Sequence, residues 1–495
     1  MARPLLYELP VRPWLARLSA AAGREIRLTD VPDAALDRWT RLGVTHLWLM
    51  GVWPIGPRAR AVALAGPDQR RAYDEALPGW RAEEVCGSPY AIQDYQVDAR
   101  FGGDRGMACL RDRLRARGIR LILDFVPNHV GLDHPWVTTR PEFLIRSVDA
   151  REGTFLLEPD REGGWLAHGR DPYFPPWIDT AQIEYRSAAA RAAMRGILAG
   201  VAARCDGVRC DMAMLLLNEV FDRTWTDFPP PAGVDLPQGE FWEEAIRETK
   251  RAQPGFEFIA EAYWGKEGRL RELGFDFAYD KELTDKLVAR EAAAAVAHLR
   301  RAGAAGLARG VRFLENHDEC RAAARLGAEE HRAAAFLLLG LPGLPLFHDG
   351  QFEGARVRTP IQLARQPAEP VDLALRDWYE RAPGAVRKSS VGRGSAVLPA
   401  PIPVGGEPPD EVALVEWLEE GGAFAVVAVN LASGARRCRV PLRSPPAMAR
   451  PGRLPDLLGS GEDWVIPPGG GPGGPLLELP PHAARLYQYG QPGGG

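Results

Sequence analysis

The sequence has no Cys-x-x-Cys pair. Its six cysteines stand scattered at positions 86, 109, 205, 210, 320 and 438. That spacing argues against a thiolate zinc site. Nor does any apolar run reach the roughly 20 residues a membrane-spanning helix needs. There is no basic excess either: 61 Lys and Arg against 65 Asp and Glu leave a net charge of -4. Nucleic acid and anionic membrane surfaces are therefore poor candidates for the main partner. Lysine is scarce beside arginine, which reads as coding bias. Met1-Ala2-Arg3-Pro4 runs straight into a strand-like segment without the charged-then-apolar pattern of a signal peptide. The expectation from these absences is a soluble chain in a reduced, cytoplasmic setting.

What is present is size and a recurrent pattern. A chain of 495 residues exceeds the roughly 250–300 at which one core stops growing, so two or three domains are expected. An amphipathic helix ends at a glycine, and a short apolar strand ending in polar residues follows. The instances begin at Gly43, Gly118, Gly207, Gly255, Gly274, Gly310 and Gly343. With a first strand from Leu5 to Pro13 they make eight, and eight strands alternating with helices predict a parallel (β/α)8 barrel. Helical periodicity is expected over residues 104–117, 187–204, 239–253, 282–302, 329–340 and 372–382, and a first helix opening at Asp30-Val31-Pro32.

Two insertions break this rhythm, residues 51–103 after the second strand and 130–186 after the third. Past about 385, short apolar runs alternate with Gly/Pro turns. The predicted organisation is a barrel in two parts, 1–129 and 187–385. An inserted subdomain at 130–186 and a C-terminal antiparallel β-sandwich at 386–495 complete it. Residues 467–475 read as a loop and 491–495 as a disordered tail.

Gly207-Val208-Arg209-Cys210-Asp211 places two charges on one face of a buried strand. That is a structural ion pair or a working site, because charge in a core is costly. Working residues of such barrels sit at the C-terminal strand ends. There the third strand carries Asp124 and leads to Asn128-His129; the fourth ends in Asp211, the fifth in Glu261, the seventh in His317-Asp318. Four acids converge on one rim. Two carboxyls flanking a sugar bond are the minimum for glycoside hydrolysis, one attacking and one donating a proton. The apolar residues around Glu261 would raise its pKa, as a proton donor requires.

Asp124-Phe125-Val126-Pro127-Asn128-His129 resembles the first signature region of the α-amylase family of glycoside hydrolases. Gly207 to Asp211 is similar to the second, Glu261 stands where the third has its acid, and Asn316-His317-Asp318 resembles the fourth. The resemblance implies Asp211 as covalent nucleophile, Glu261 as acid then base, and Asp318 gripping ring hydroxyls. It further implies that Arg209 orients Asp211, His129 and His317 bind hydroxyls, Asp124 supports the site and Tyr90 stacks on the sugar. Arg358 lies in a segment similar to one after the family's eighth strand, where a structural ion pair is an equal reading. Trp136, Trp165 and Trp177 read either as rings stacking on sugars or, the favoured reading, as fillers of a small core.

The pattern departs in two places. Many starch-cleaving relatives carry Lys-His three and four residues after the nucleophile, where this chain has Met214 and Leu215. The leaving-group side should therefore be apolar or built otherwise. An Asp-rich calcium loop after the first strand is absent too. Asn128 can be a calcium ligand in relatives, but it has no convincing oxygen partners here, so no metal and no cofactor are expected. The expected partner is an oligosaccharide or glucoside substrate, and the oligomeric state is open. A retaining α-glycosidase leads. A transglycosylase, or a sucrose- or trehalose-type converting enzyme, is the alternative, and a non-catalytic carbohydrate-binding protein comes third.

Overall fold

A computed structural model describes residues 3–492, apart from 158–163, 231–236, 407, 444–451, 460–461 and 467–472. Much of the expected Gly/Pro loop and the end of the expected tail lie outside the described residues. Eight parallel strands close a barrel in chain order: β1 (Leu6–Pro10), β2 (His46–Met50), β3 (Arg120–Phe125), β4 (Gly207–Cys210), β5 (Glu257–Ala260), β6 (Phe277–Tyr279), β7 (Gly310–Arg312) and β8 (Leu344–His348). Pairing of Leu6 with both His46 and Leu346 shuts the ring. The strands are short apolar runs because both faces are covered. Leu6, Trp48, Ile122, Ile259, Tyr279, Val311 and Leu346 fill the interior, while alternate residues pack outward against the helices. Gly207 opens β4 because a Cβ there would lie 2.7 Å from the Glu257 carbonyl oxygen.

Two expected elements differ. The first strand stops at Pro10, and Val11–Ala22 is helix α1; Val11, Trp14 and Leu15 bury one of its faces at helical spacing. The helix expected at 282–302 is two, Lys281–Val288 and Ala292–Leu307, parted at Arg290, whose φ is +62°. Helix α2 (Asp33–Leu42) follows α1. The insertion after β2 then holds helices α3 (Pro57–Ala65) and α4 (Pro67–Ala76). The insertion after β3 carries short antiparallel pairs, among them His129–Gly131 with Thr180–Gln182.

Beyond the barrel lie antiparallel sheets. Strands β9 (Val412–Leu418), β10 (Phe424–Asn430) and β11 (Ala484–Tyr489) form most of one, and Ile402–Pro403, Arg436–Arg439 and Leu476–Leu479 another. Between them Leu414, Phe424, Val426, Cys438, Leu477 and Tyr487 share a core. Helix α5 (Ala328–Gly340) joins this region to the barrel and is buried from Ala333 to its end, which explains its nearly uniform apolar character. Its last residue must be glycine. A Cβ on Gly340 would meet Val427 Cγ1 at 2.5 Å, and the Gly340 carbonyl accepts the Trp417 indole N–H at 2.8 Å. Gly340→Ala is accordingly expected to cost about 1–3 kcal/mol by overpacking, read as a lowered urea midpoint.

Candidate active site

The parallel ladder aligns the acids. Asp124 and Arg209 are register partners on β3 and β4, both directed into the barrel. One residue past the strand ends, the Asp211 N–H donates to the Phe125 carbonyl at 2.9 Å and the Glu261 N–H to that of Cys210 at 3.0 Å. Strand alternation thus leaves Arg209 inside and carries Asp211 and Glu261 to the rim.

Arg209 is fully buried and holds both acids. Its Nη1 donates to Asp211 Oδ1 at 2.7 Å, and its Nη2 forms an ion pair with Glu261 Oε1 at 2.8 Å. One guanidinium between two carboxylates fixes them a few ångströms apart. The guanidinium is flanked by the rings of Trp48, Tyr90 and Tyr279 at 4.9–5.7 Å. Glu261 also accepts from the Met212 N–H at 2.7 Å and the Tyr263 hydroxyl at 2.9 Å. Met212 adopts a left-handed backbone, φ +42°, which turns its N–H onto that carboxylate.

The environments separate the acids. Burial, with Asp211 and Asp318 nearby, pushes Glu261 up to about 7 against the pull of Arg209. Burial also raises Asp211, while Arg209 opposes the rise. Asp318 behaves differently. Burial acts to raise it, but His317, with Nε2 3.0 Å from Asp318 Oδ2, holds it below the ordinary aspartate range. Burial likewise works against charge on His317. Asp318 and Glu8 outweigh it and keep the ring protonated well above the usual histidine range. Glu8 on β1 is the residue that sequence reasoning missed. It is completely buried, with Oε1 2.5 Å from His317 Nδ1 and Oε2 3.1 Å from His348 Nδ1. A lone acid in the apolar run LLYELP was the available signal.

Two cavities meet at these acids. A chamber of about 380 Å³ is lined by Tyr90, His129, Trp177, Asp211, Glu261 and Asp318. A groove of about 830 Å³ shares Met212, Glu261 and Asp318 with it and continues past Tyr263, Trp264, Phe174 and Lys281. Of the expected residues, Tyr90, His129, Asp211, Glu261 and Asp318 are brought together around the chamber. Arg209 is not a lining residue but the clamp behind it. Asp124 also lies behind: its carboxylate accepts from the Trp48 indole at 3.0 Å and the Gly51 N–H at 3.2 Å. Burial raises Asp124 to about 6. His317 has both ring nitrogens engaged, Nε2 also meeting the Tyr90 hydroxyl at 2.9 Å, and Tyr90 stacks on its ring at 5.4 Å. Among the described residues Arg358 makes no ion pair; it is exposed and donates to the Asp318 carbonyl at 2.6 Å. His129 is buried and lowered by desolvation to about 4, so it works as a neutral hydrogen-bonding ring. Trp177 packs on His129 at 5.1 Å and also lines the chamber, so it does more than fill a core.

Met214 and Leu215 are buried in the core and line neither cavity. The groove beside Glu261 is lined instead by Tyr263, Trp264 and Phe174. Trp264 holds a left-handed φ of +60°, and its ring meets that of Tyr173 edge-on at 4.9 Å. The Asn128 side-chain amide is taken by Gln182 at 3.0–3.1 Å. Among the described residues no cluster of His, Cys, Asp or Glu is placed to hold a metal ion. Among them, too, no helix is long and apolar enough to cross a membrane.

Residues 35–152 match the family model "Alpha amylase, catalytic domain". Among curated proteins, the chain is similar to "Alpha-amylase 3" of Dictyoglomus thermophilum, 22% identical over 67% of this chain and 61% of that one. The chain thus spans about three fifths of that relative's length. It spans a third or less of two others, "Alpha-amylase MalA" of Haloarcula japonica and a 1,4-alpha-glucan branching enzyme of Aromatoleum aromaticum. Among solved structures, a noncanonic maltogenic α-amylase, AmyB, from Thermotoga neapolitana superposes with a TM-score of 0.67 at 17% identity, covering 98% of both chains. An α-amylase of Geobacillus thermoleovorans complexed with acarbose gives 0.64 at 19% identity, covering 98% of this chain and 97% of its own. At such identities the superposition speaks for the fold. Family model, curated relatives and barrel all point to the α-amylase family of glycoside hydrolases.

Proposed function

We propose that the protein is a retaining α-glycosidase acting on α-glucosides or α-glucan oligosaccharides. The observation that carries this reading is the Arg209 clamp. It holds Asp211 and Glu261, the latter raised to about 7, side by side at the junction of two cavities. Asp211 lines only the chamber, so the reacting ring belongs there, with C1 over Asp211. Glu261 lines both cavities, so the departing oxygen belongs at the junction. Asp211 attacks C1 as Glu261 protonates the leaving oxygen, giving a β-linked glycosyl-aspartate. Glu261, now a carboxylate, then takes a proton from the water that releases the α-sugar. Asp318 and neutral His129 bind ring hydroxyls, and Tyr90, backed by His317, supplies a flat apolar face.

The test is a panel of α-linked disaccharides, maltodextrins and glycogen with the product anomer followed by NMR. First-formed α product is expected; β product would refute the retaining scheme. A sugar acceptor replaces water if it occupies the groove, and the aromatic rim of Phe174 and Trp264 favours that second reading, a transglycosylase. Product analysis with and without added glucoside separates the two.

The acid pair also sets the pH dependence. Glu261 must be protonated to donate, so kcat/KM should fall as pH rises through about 7. Asp211 must be ionised to attack, so the acidic limb should lie above the ordinary aspartate range. A profile flat from pH 6 to about 9 would contradict the assignment of Glu261.

A further inference from the structure

Glu8 takes no part in the chemistry above, yet it is more deeply buried than Asp211 or Glu261. It lies on β1 two residues past Leu6, so strand alternation turns it into the barrel. Its register partners are Trp48 on β2 and His348 on β8. One layer below, Leu6 pairs with Leu346 and the interior is apolar. A leucine at position 8 would continue that layer at less cost, because taking a carboxylate out of water is expensive unless its charge is used.

Among the described residues the side-chain partners of Glu8 are two imidazoles. His348 Nδ1 lies 3.1 Å from Oε2. With the Asp349 N–H donating to the Glu8 carbonyl at 3.0 Å, this fastens β1 to the end of β8. The His317 Nδ1–H donates to Oε1 at 2.5 Å. That bond decides what the other ring nitrogen can do. While the charge of Glu8 keeps a second proton on the ring, Nε2–H faces Asp318 Oδ2 at 3.0 Å and the Tyr90 hydroxyl at 2.9 Å. A neutral ring that still gave its Nδ1–H to position 8 would carry a lone pair at Nε2. It would accept from Tyr90 and repel the Asp318 carboxylate. Asp318 has half its side chain exposed, so the imidazole steadies one oxygen while the side chain lines both cavities. Trp48 packs edge-on against His317 at 5.6 Å. The other charges at this corner, Asp124 on β3 and Arg209 on β4, act on His317 and Asp318 through space.

We propose that Glu8 is a positioning residue: through His317 it holds Asp318 and Tyr90 in place against the reacting sugar, without touching the sugar itself. The role rests on the glycosidase reading, which puts the sugar ring in the chamber those two residues line. A buried carboxylate that fixes the proton and the orientation of an imidazole governs turnover although it never meets the substrate.

Glu8→Gln tests it. The amide keeps the volume of the side chain and an oxygen that can accept from His317 Nδ1, so a native, cooperative urea transition is expected. On maltodextrins kcat should fall at least about tenfold with KM changed less than about threefold, because the grip of Asp318 on the distorted ring is strongest in the transition state. Asp318, having lost its imidazolium, should take up a proton more readily, so the acidic limb of kcat/KM should move to higher pH. Histidine-selective nitrogen NMR, with His317 assigned by its loss in His317→Gln, should find that ring charged at about pH 8 in the wild type and neutral in Glu8→Gln. Activity lost with both the acidic limb and the charge of His317 unchanged would make Glu8 a structural ion and overturn the proposal, as would wild-type kcat in Glu8→Gln. A neutral His317 in the wild type would overturn it whatever the variant does. No sugar released by the wild-type enzyme from any α-glucan would overturn the glycosidase reading and this role with it.

Discussion

Asp211→Asn should lose at least about 10⁴-fold in kcat on every α-glucoside the wild type cleaves, the scale on which a covalent mechanism fails without its nucleophile. The amide keeps the shape of the side chain and can still accept from Arg209 Nη1, so thermal unfolding should show a native, cooperative protein. A second consequence separates this from a merely damaged fold. Asp211 is one of the charges that lift Glu261. With that charge gone and Arg209 still in place, the Glu261 carboxyl should ionise more readily, and the alkaline limb of any residual activity should move to lower pH. Turnover within about tenfold of wild type would remove Asp211 from the nucleophile role.

The barrel was legible because its rule is local. A glycine after a helix, then a short apolar run, marks seven of the eight strands, and those seven fall where that pattern stands. The acids were legible for a related reason: a charge inside an apolar run needs a use. The same rule applied to Glu8 and to His348 would have found the network behind His317, since both stand in buried strands among apolar neighbours. Other features had no local signature. Val11-Arg12-Pro13 suits a strand as well as a first helical turn, and only the burial of Val11, Trp14 and Leu15 against the barrel decides for helix. The break at Arg290 is set by how two helices pack. Which cavity a residue faces is likewise tertiary. Met214 and Leu215 turn inward because the Met212 backbone is left-handed, and the groove is lined instead by Trp264 from another strand end. Asp124 and Arg209 belong to the site by sequence, yet the pleat sets both behind the cavity lining.

Arg209→Met should couple stability to pH in a way that reports the clamp directly. The substitution keeps much of the buried volume among Trp48, Tyr90 and Tyr279 but removes the guanidinium that touches both acids. Breaking a buried charge pair by deleting one partner costs about 3–5 kcal/mol, since the other charge stays buried without compensation. Here the abandoned groups are acids and can escape by taking up protons. Burial already raises both, and Arg209 is what opposes the rise, so both folded-state pKa values should climb further in the variant. A group whose folded pKa lies above its unfolded value destabilises the fold as pH rises between the two. The stability gap between wild type and variant should therefore be smallest near pH 4, where the acids carry the most protons, and widen steadily toward pH 8. Urea unfolding of both proteins across that range measures it. Adding Glu261→Gln to Arg209→Met removes one of the stranded charges and should narrow the gap at pH 8. A gap that stays constant with pH would mean that Arg209 acts by packing alone and that the carboxylates do not depend on it for their charge.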